Sequence, residues 1–186
     1  MQSEPWRFVA FPEETSRDAL DMTTMSLVWH YTALIRFPAI YASGFVDVSR
    51  RGFSPPQLPV AWFSADQYWE RTVRFRWKKS VGENPWNLRE MYVNGLFAAR
   101  IGVAPSSAPL NWTAIRIQAH ISTKTARQLV QVADECGADP RDWFGSLTPV
   151  PRREWQSIQS FNGTEWSEVL PNRHDKGEPA ASVALG

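Results

Sequence analysis

His30 stands in an apolar run, Leu-Val-Trp-His-Tyr-Thr at 27–32, where a polar ring requires a hydrogen-bond partner. By position alone it reads as a core histidine satisfied by a backbone carbonyl. A second cluster follows in Pro-Val-Ala-Trp-Phe-Ser at 59–64, with Tyr68, Trp69 and Glu70 close behind. Imidazole and hydroxyl groups such as His30, Thr32 and Ser64 can bond and orient a ligand. Rings such as Trp62, Tyr68 and Trp69 can stack on a flat one. Late in the chain Glu154, Glu165 and Glu168 offer carboxylates able to stabilise developing positive charge, and Gln159 stands among them. Arg100 lies in an apolar strand, Ala-Ala-Arg-Ile-Gly at 98–102.

Several chemistries are excluded. The sequence has no phosphate-binding Walker loop, no glycine-rich dinucleotide fingerprint and no nucleophile elbow. Its three histidines, His30, His120 and His174, lack metal-ligand spacing, and one cysteine, Cys136, permits neither a disulfide nor a cysteine-rich zinc site. No metal is expected. A single thiol fits a cytoplasmic setting. The net charge of +1 argues against a general nucleic-acid binder. Arg50, Arg51, Arg71, Arg74 and Arg76 read as an ordinary solvated face, although they could also rim a cleft. Residues 1–14 show no signal pattern, and no apolar run approaches the roughly 20 residues that span a bilayer. Ten tryptophans in 186 residues point to an aromatic core with some rings left for a ligand cleft.

The elements that must position these groups follow from periodicity and punctuation. Residues 27–32 and 60–64 read as buried strands, with short strands at 6–10 and 45–48 and a polar surface segment at 12–25. A helix is expected from about Phe37, with Pro38 in its first turn, to Gly44 as a left-handed cap. Residues 49–59 and 78–90 read as loops, 65–71 as a helical turn, and 72–77 as a half-exposed strand. Further strands are expected within 91–103 and at 112–117. The clearest helix is 124–136, capped by Ser122 or Thr123 and ended by Gly137, with Cys136 on its buried face. A hairpin joins 154–161 to 165–170 through Asn162-Gly163. One α+β domain over 1–170 is expected, with a disordered tail at 171–186.

The order His30-Tyr31-Thr32, short helix, then a strand ending in Trp62-Phe63-Ser64 resembles the ADP-ribosyltransferase superfamily, in a small bacterial or phage form. The resemblance covers about 28–169. It implies an α+β fold of two small packed, mainly antiparallel sheets with a few short helices. It implies NAD as substrate without a metal, and mono-ADP-ribosyl transfer to an unknown macromolecule, protein or nucleic acid, as in a toxin with an antidote partner. Carried over, His30, Thr32 and Ser64 position NAD, Trp62 shares the face of Ser64, and Tyr68 or Trp69 stacks on nicotinamide. Tyr31, also within the motif, points away from His30 and can instead be core. Arg100 either pairs with a core carboxylate or holds the pyrophosphate. Glu154 is the first choice for the catalytic carboxylate, with Glu165 and Glu168 as alternatives. Gln159 at the matching position would instead imply an inactive domain. This reading needs the His30 imidazole and the Ser64 hydroxyl to open onto one hollow. The rival reading is a non-catalytic module that grips a protein or nucleic acid in an aromatic cleft.

Overall fold

Two runs of β-branched and aromatic residues form the centre of the sheet, as expected from their composition. They are β1 (Val28–Ala33) and β3 (Ala61–Ser64). The computed structural model describes residues 27–50, 53–73 and 88–169. The expected strand at 6–10, the segment at 12–25, most of the 72–77 strand and the tail at 171–186 therefore lie outside the described residues, as do Arg51, Arg74 and Arg76.

The fold is α+β. Among the described residues its main sheet has seven strands in the order β5-β6-β3-β1-β4-β8-β9, and a second sheet pairs β2 with β7. The added strands are β2 (Phe45–Val46), β4 (Ala98–Val103), β5 (Leu110–Asn111), β6 (Trp143–Ser146), β7 (Val150–Pro151), β8 (Trp155–Phe161) and β9 (Trp166–Glu168). Every pairing is antiparallel. The architecture is thus one large sheet with a two-stranded companion, where the expectation was two small packed sheets.

Register decides which side chains share a face, because directly opposed residues of antiparallel strands point the same way. Trp29 opposes both Ser64 and Gly102, while Tyr31 opposes Arg100, which in turn opposes Gln159. These residues therefore leave one face. His30 and Thr32, opposite Ile101 and Ala99, leave the other. On that second face lies the main core, where Val28, Phe63, Ile101 and Ile158 meet Phe37 of α1 (Phe37–Ser43) and Val46 and Val150 of the small sheet. Complete burial of a side chain such as Ile101 stabilises by about 1.5–3 kcal/mol.

The first face carries two smaller clusters. Trp29, Tyr31, Trp69 and Phe161 pack with Leu88 and Met91 of α2 (Leu88–Val93). Val60 packs with Ile115 of α3 (Trp112–Gln118) and Ala126 of α4 (Thr123–Cys136).

The helices expected from capping formed. Gly44 and Gly137 adopt φ of 76° and 66° at the ends of α1 and α4, and Ser122 Oγ accepts from the Thr125 amide. Cys136 is buried, as expected. Four readings are corrected. Residues 112–117 are helical because Asn111 caps them, its Oδ1 accepting from the Ala114 amide at 2.9 Å. Residues 88–93 form α2, so the following strand starts only at Ala98. Residues 65–71 form no helix. The Asn162-Gly163 hairpin has a wider loop than the two-residue turn expected, since Phe161 opposes Trp166 and Asn162 Oδ1 accepts from both the Thr164 and Glu165 amides.

Candidate functional site

A cavity of about 270 Å³ lies where β1 and β3 meet beneath α4. Trp29, His30 and Tyr31 border it from β1, and Trp62, Phe63 and Ser64 from β3. Trp143 of β6 and the apolar Leu129 and Val132 of α4 complete the aromatic and aliphatic wall. The period of α4 explains its part, since a helix laid on a sheet turns such a stripe inward. Trp62 meets Trp143 edge to face at 6.1 Å and stacks on Phe53 at 6.3 Å, which fixes its ring.

Glu70 supplies the carboxylate of the cavity wall. It is only 7% exposed, so it requires polar partners. Ser64 Oγ donates to its Oε2 at 2.8 Å, while the Thr72 hydroxyl and amide donate to its Oε1 at 2.6 and 3.0 Å. The segment leading to it is turned by Asp66, whose Oδ1 accepts from the Tyr68 and Trp69 amides in the manner of an Asx-turn.

His30 is half-buried, and its Nδ1 donates to the Trp62 carbonyl at 3.0 Å. Because a carbonyl only accepts, this contact places the proton on Nδ1. Burial holds the imidazole below its usual pKa, against the smaller raising effect of that hydrogen bond.

The expectation of one hollow shared by His30 and Ser64 is not met. Both residues border the cavity, but Ser64 opposes Trp29, so its side chain leaves the sheet on the face opposite to His30. The His30 ring instead lies 5.8 Å from Phe63. The Ser64 hydroxyl is also sealed, at 1% exposure, and committed to Glu70. It cannot clamp a ligand. Thr32 is buried outside the cavity wall.

The remaining candidates separate. Tyr31 is buried, and its hydroxyl donates to the Asp66 carbonyl at 2.5 Å. Burial raises its pKa. Trp69 packs edge to face on Tyr31 at 5.2 Å, and Tyr68 is 58% exposed; neither borders the cavity. Glu154 sits in the 3₁₀ turn Arg152–Glu154, 3.9 Å from Arg153, and Glu165 and Glu168 are exposed on the last hairpin. None of the three carboxylates reaches the cavity wall.

Arg100 follows neither expected course. Its guanidinium is sandwiched between the rings of Trp29 and Trp166, 3.8 and 4.4 Å from their centroids. Its Nε and Nη2 donate to Gln159 Oε1 at 2.8 and 2.5 Å. The partner is thus an amide, which passes the contact on from its Nε2 to Glu168.

Compared with protein-family models, curated proteins and solved structures, the chain matches none of them.

The electrostatics of the cavity come from its own groups. Its ionisable lining among the described residues is Glu70 with His30 and Tyr31, and no lysine or arginine joins them. Asp142, whose carbonyl accepts from the Ala65 amide, has its pKa raised by burial first and then by the charges of Asp139, Asp66 and Glu70. Glu70 is the acidic side chain of the wall itself among the described residues. Aromatic faces add the negative side of their quadrupoles. Such a cavity suits a flat ring that is cationic or electron-poor. Glu70 was missed as a site residue because its partners, Ser64 and Thr72, read as strand hydroxyls. The available signal was a carboxylate flanked by hydroxyls just after the Asp66 turn.

Proposed function

We propose that this domain binds a flat, positively charged aromatic ring in the cavity, without the His30 and Ser64 clamp that the ADP-ribosyl transfer reading needed; the nicotinamide of NAD is the ring to test first. The observation that carries this reading is the wall itself: Trp62 and Trp143 rings beside the Glu70 carboxylate, with no cation lining it among the described residues. A volume of about 270 Å³ lies just below the ~300–1,000 Å³ of pockets that enclose drug-sized ligands. It suits one ring, with the rest of the dinucleotide outside.

The family resemblance alone supplies the choice of NAD, and Glu70, which lines the cavity where Glu154 does not, is the carboxylate this reading uses. A fixed carboxylate beside the ring favours the positively charged nicotinamide of intact NAD, so Glu70 is assigned to binding of the ring and not to the ribose cation that forms outside the cavity when the nicotinamide–ribose bond breaks. Ser64 and Thr72 orient this carboxylate and do not touch substrate.

A ligand bound only by the folded chain raises its stability, by about 2.7 kcal/mol at a hundredfold excess over Kd. Millimolar NAD is expected to raise the Tm of the parent protein and not that of Trp62→Ala. Glu70→Gln, which removes the charge facing the ring, is expected to lose the NAD-induced shift as well, and transfer of labelled ADP-ribose from NAD to lysate components by the parent tests catalysis. No shift in the parent overturns the NAD assignment.

One observation favours a second reading, the binding module without catalysis: the Glu70, Ser64 and Thr72 groups satisfy one another. In that case the parent binds a cationic ring compound such as N-methylnicotinamide but transfers no label from NAD.

A further inference from the structure

Three consecutive carbonyls in the segment before Glu70 are held by side chains rising from one face of the sheet. Tyr31 Oη donates to the Asp66 carbonyl at 2.5 Å, Arg100 Nη1 to the Gln67 carbonyl, and Trp166 Nε1 to the Tyr68 carbonyl at 2.8 Å. Trp29 Nε1 adds a bond to Gln67 Oε1 at 2.8 Å. The donors come from β1, β4 and β9, which are separate in sequence. Surface connections ordinarily leave such carbonyls to water, so a loop gripped at three successive carbonyls is unusually fixed.

Arg100 is the centre of this grip. It is buried, which lowers its pKa, and a buried cation is costly unless it is paired or fully hydrogen-bonded. Among the described residues no carboxylate lies within ion-pair distance of it. Its bonds go to Gln159, to the Gln67 carbonyl and, at 3.5 Å, to the Tyr31 hydroxyl, which itself donates to the Asp66 carbonyl. The Trp29 and Trp166 rings on either side keep its plane aimed at the loop.

We infer that Arg100 is a positioning residue, which with Tyr31 and Trp166 clamps residues 66–68 so that the Glu70 carboxylate is fixed at the cavity wall. The consequence for ligand binding rests on the function proposed above; the clamp itself does not.

The test is amide hydrogen exchange on the full chain without ligand, in the parent, Trp166→Phe and Arg100→Lys. Trp166→Phe keeps a ring over the guanidinium and removes one donor. Arg100→Lys keeps the charge and cannot bridge Gln159 and Gln67 together. The reporters are the Tyr68, Trp69 and Thr72 amides, which bond to Asp66 and Glu70 side chains. Both variants are expected to speed these amides by about tenfold or more while the β4–β8 ladder keeps its protection, which separates local opening from global unfolding. Unchanged reporters in Trp166→Phe, or reporters that rise only in step with the ladder, overturn the clamp. NAD is then added: loosened variants are expected to lose the Tm shift of the parent. A parent that shows no shift removes the ligand assignment and leaves the exchange result to decide the clamp.

Discussion

Ser64 Oγ donates to Glu70 Oε2 across 2.8 Å, with both residues almost wholly withdrawn from solvent. Removing one partner of a buried hydrogen bond costs the desolvation of the group left behind, about 1–3 kcal/mol and more for a charged one. Ser64→Ala is therefore expected to destabilise the fold by at least that lower figure in urea denaturation. A stability equal to the parent's would mean that the carboxylate is not held as described.

His30 makes stability depend on pH. Burial depresses its folded pKa below the unfolded value of 6.5, so near and below that value the unfolded chain binds more protons than the folded one. Stability then rises with pH through this window and falls as the solution is acidified from 7 towards 5, with a limiting slope of about 1.4 kcal/mol per pH unit for one proton. His30→Gln retains a donor for the Trp62 carbonyl and cannot titrate. Denaturation midpoints measured across pH 5–7.5 are expected to fall less steeply on acidification in this variant than in the parent. Parallel profiles would assign the slope to other groups.

What the sequence disclosed and what it hid can be told apart physically. Alternation along a strand is local, so Trp62 and Ser64 on one face and Tyr31 turned away from His30 were both readable in advance. Helix caps are local too, which is why α1 and α4 were found with their ends. The relation between strands is not local. Whether Ser64 faces His30 or Trp29 depends on a register of one residue, and a slip of one reverses every side chain. The pairing Trp29↔Ser64 could not be read from either strand alone. The misread 112–117 segment has apolar residues that fit a strand, but the Asn111 cap outweighed that preference.

Gly102 marks the close approach of β4 to a tryptophan. A Cβ there would stand 2.7 Å from Trp29 Cζ3 and 2.8 Å from Leu27 Cδ1, and the same Trp29 ring covers the Arg100 guanidinium. Gly102→Ala must push that ring aside, and overpacking of this kind costs about 1–3 kcal/mol. The expected result is a lower denaturation midpoint, with a changed near-ultraviolet circular dichroism signal as the tryptophan moves. An alanine variant as stable as the parent would mean that Trp29 relaxes freely.

His120 is the one described non-glycine residue at positive φ, 53°, just past the end of α3. The chain needs that conformation because the Ile121 amide returns to the Arg116 carbonyl at 3.0 Å, closing the helix as a left-handed C-terminal residue does. Glycine adopts this region without the steric penalty that a Cβ brings, roughly 1–2 kcal/mol, although its freer unfolded chain returns part of the gain. The imidazole is exposed, so little packing is lost with it. His120→Gly is therefore expected to stabilise the fold by up to about 1 kcal/mol, read as a higher urea midpoint with an unchanged slope. A loss of stability would mean that the imidazole contributes a contact worth more than the strain relieved.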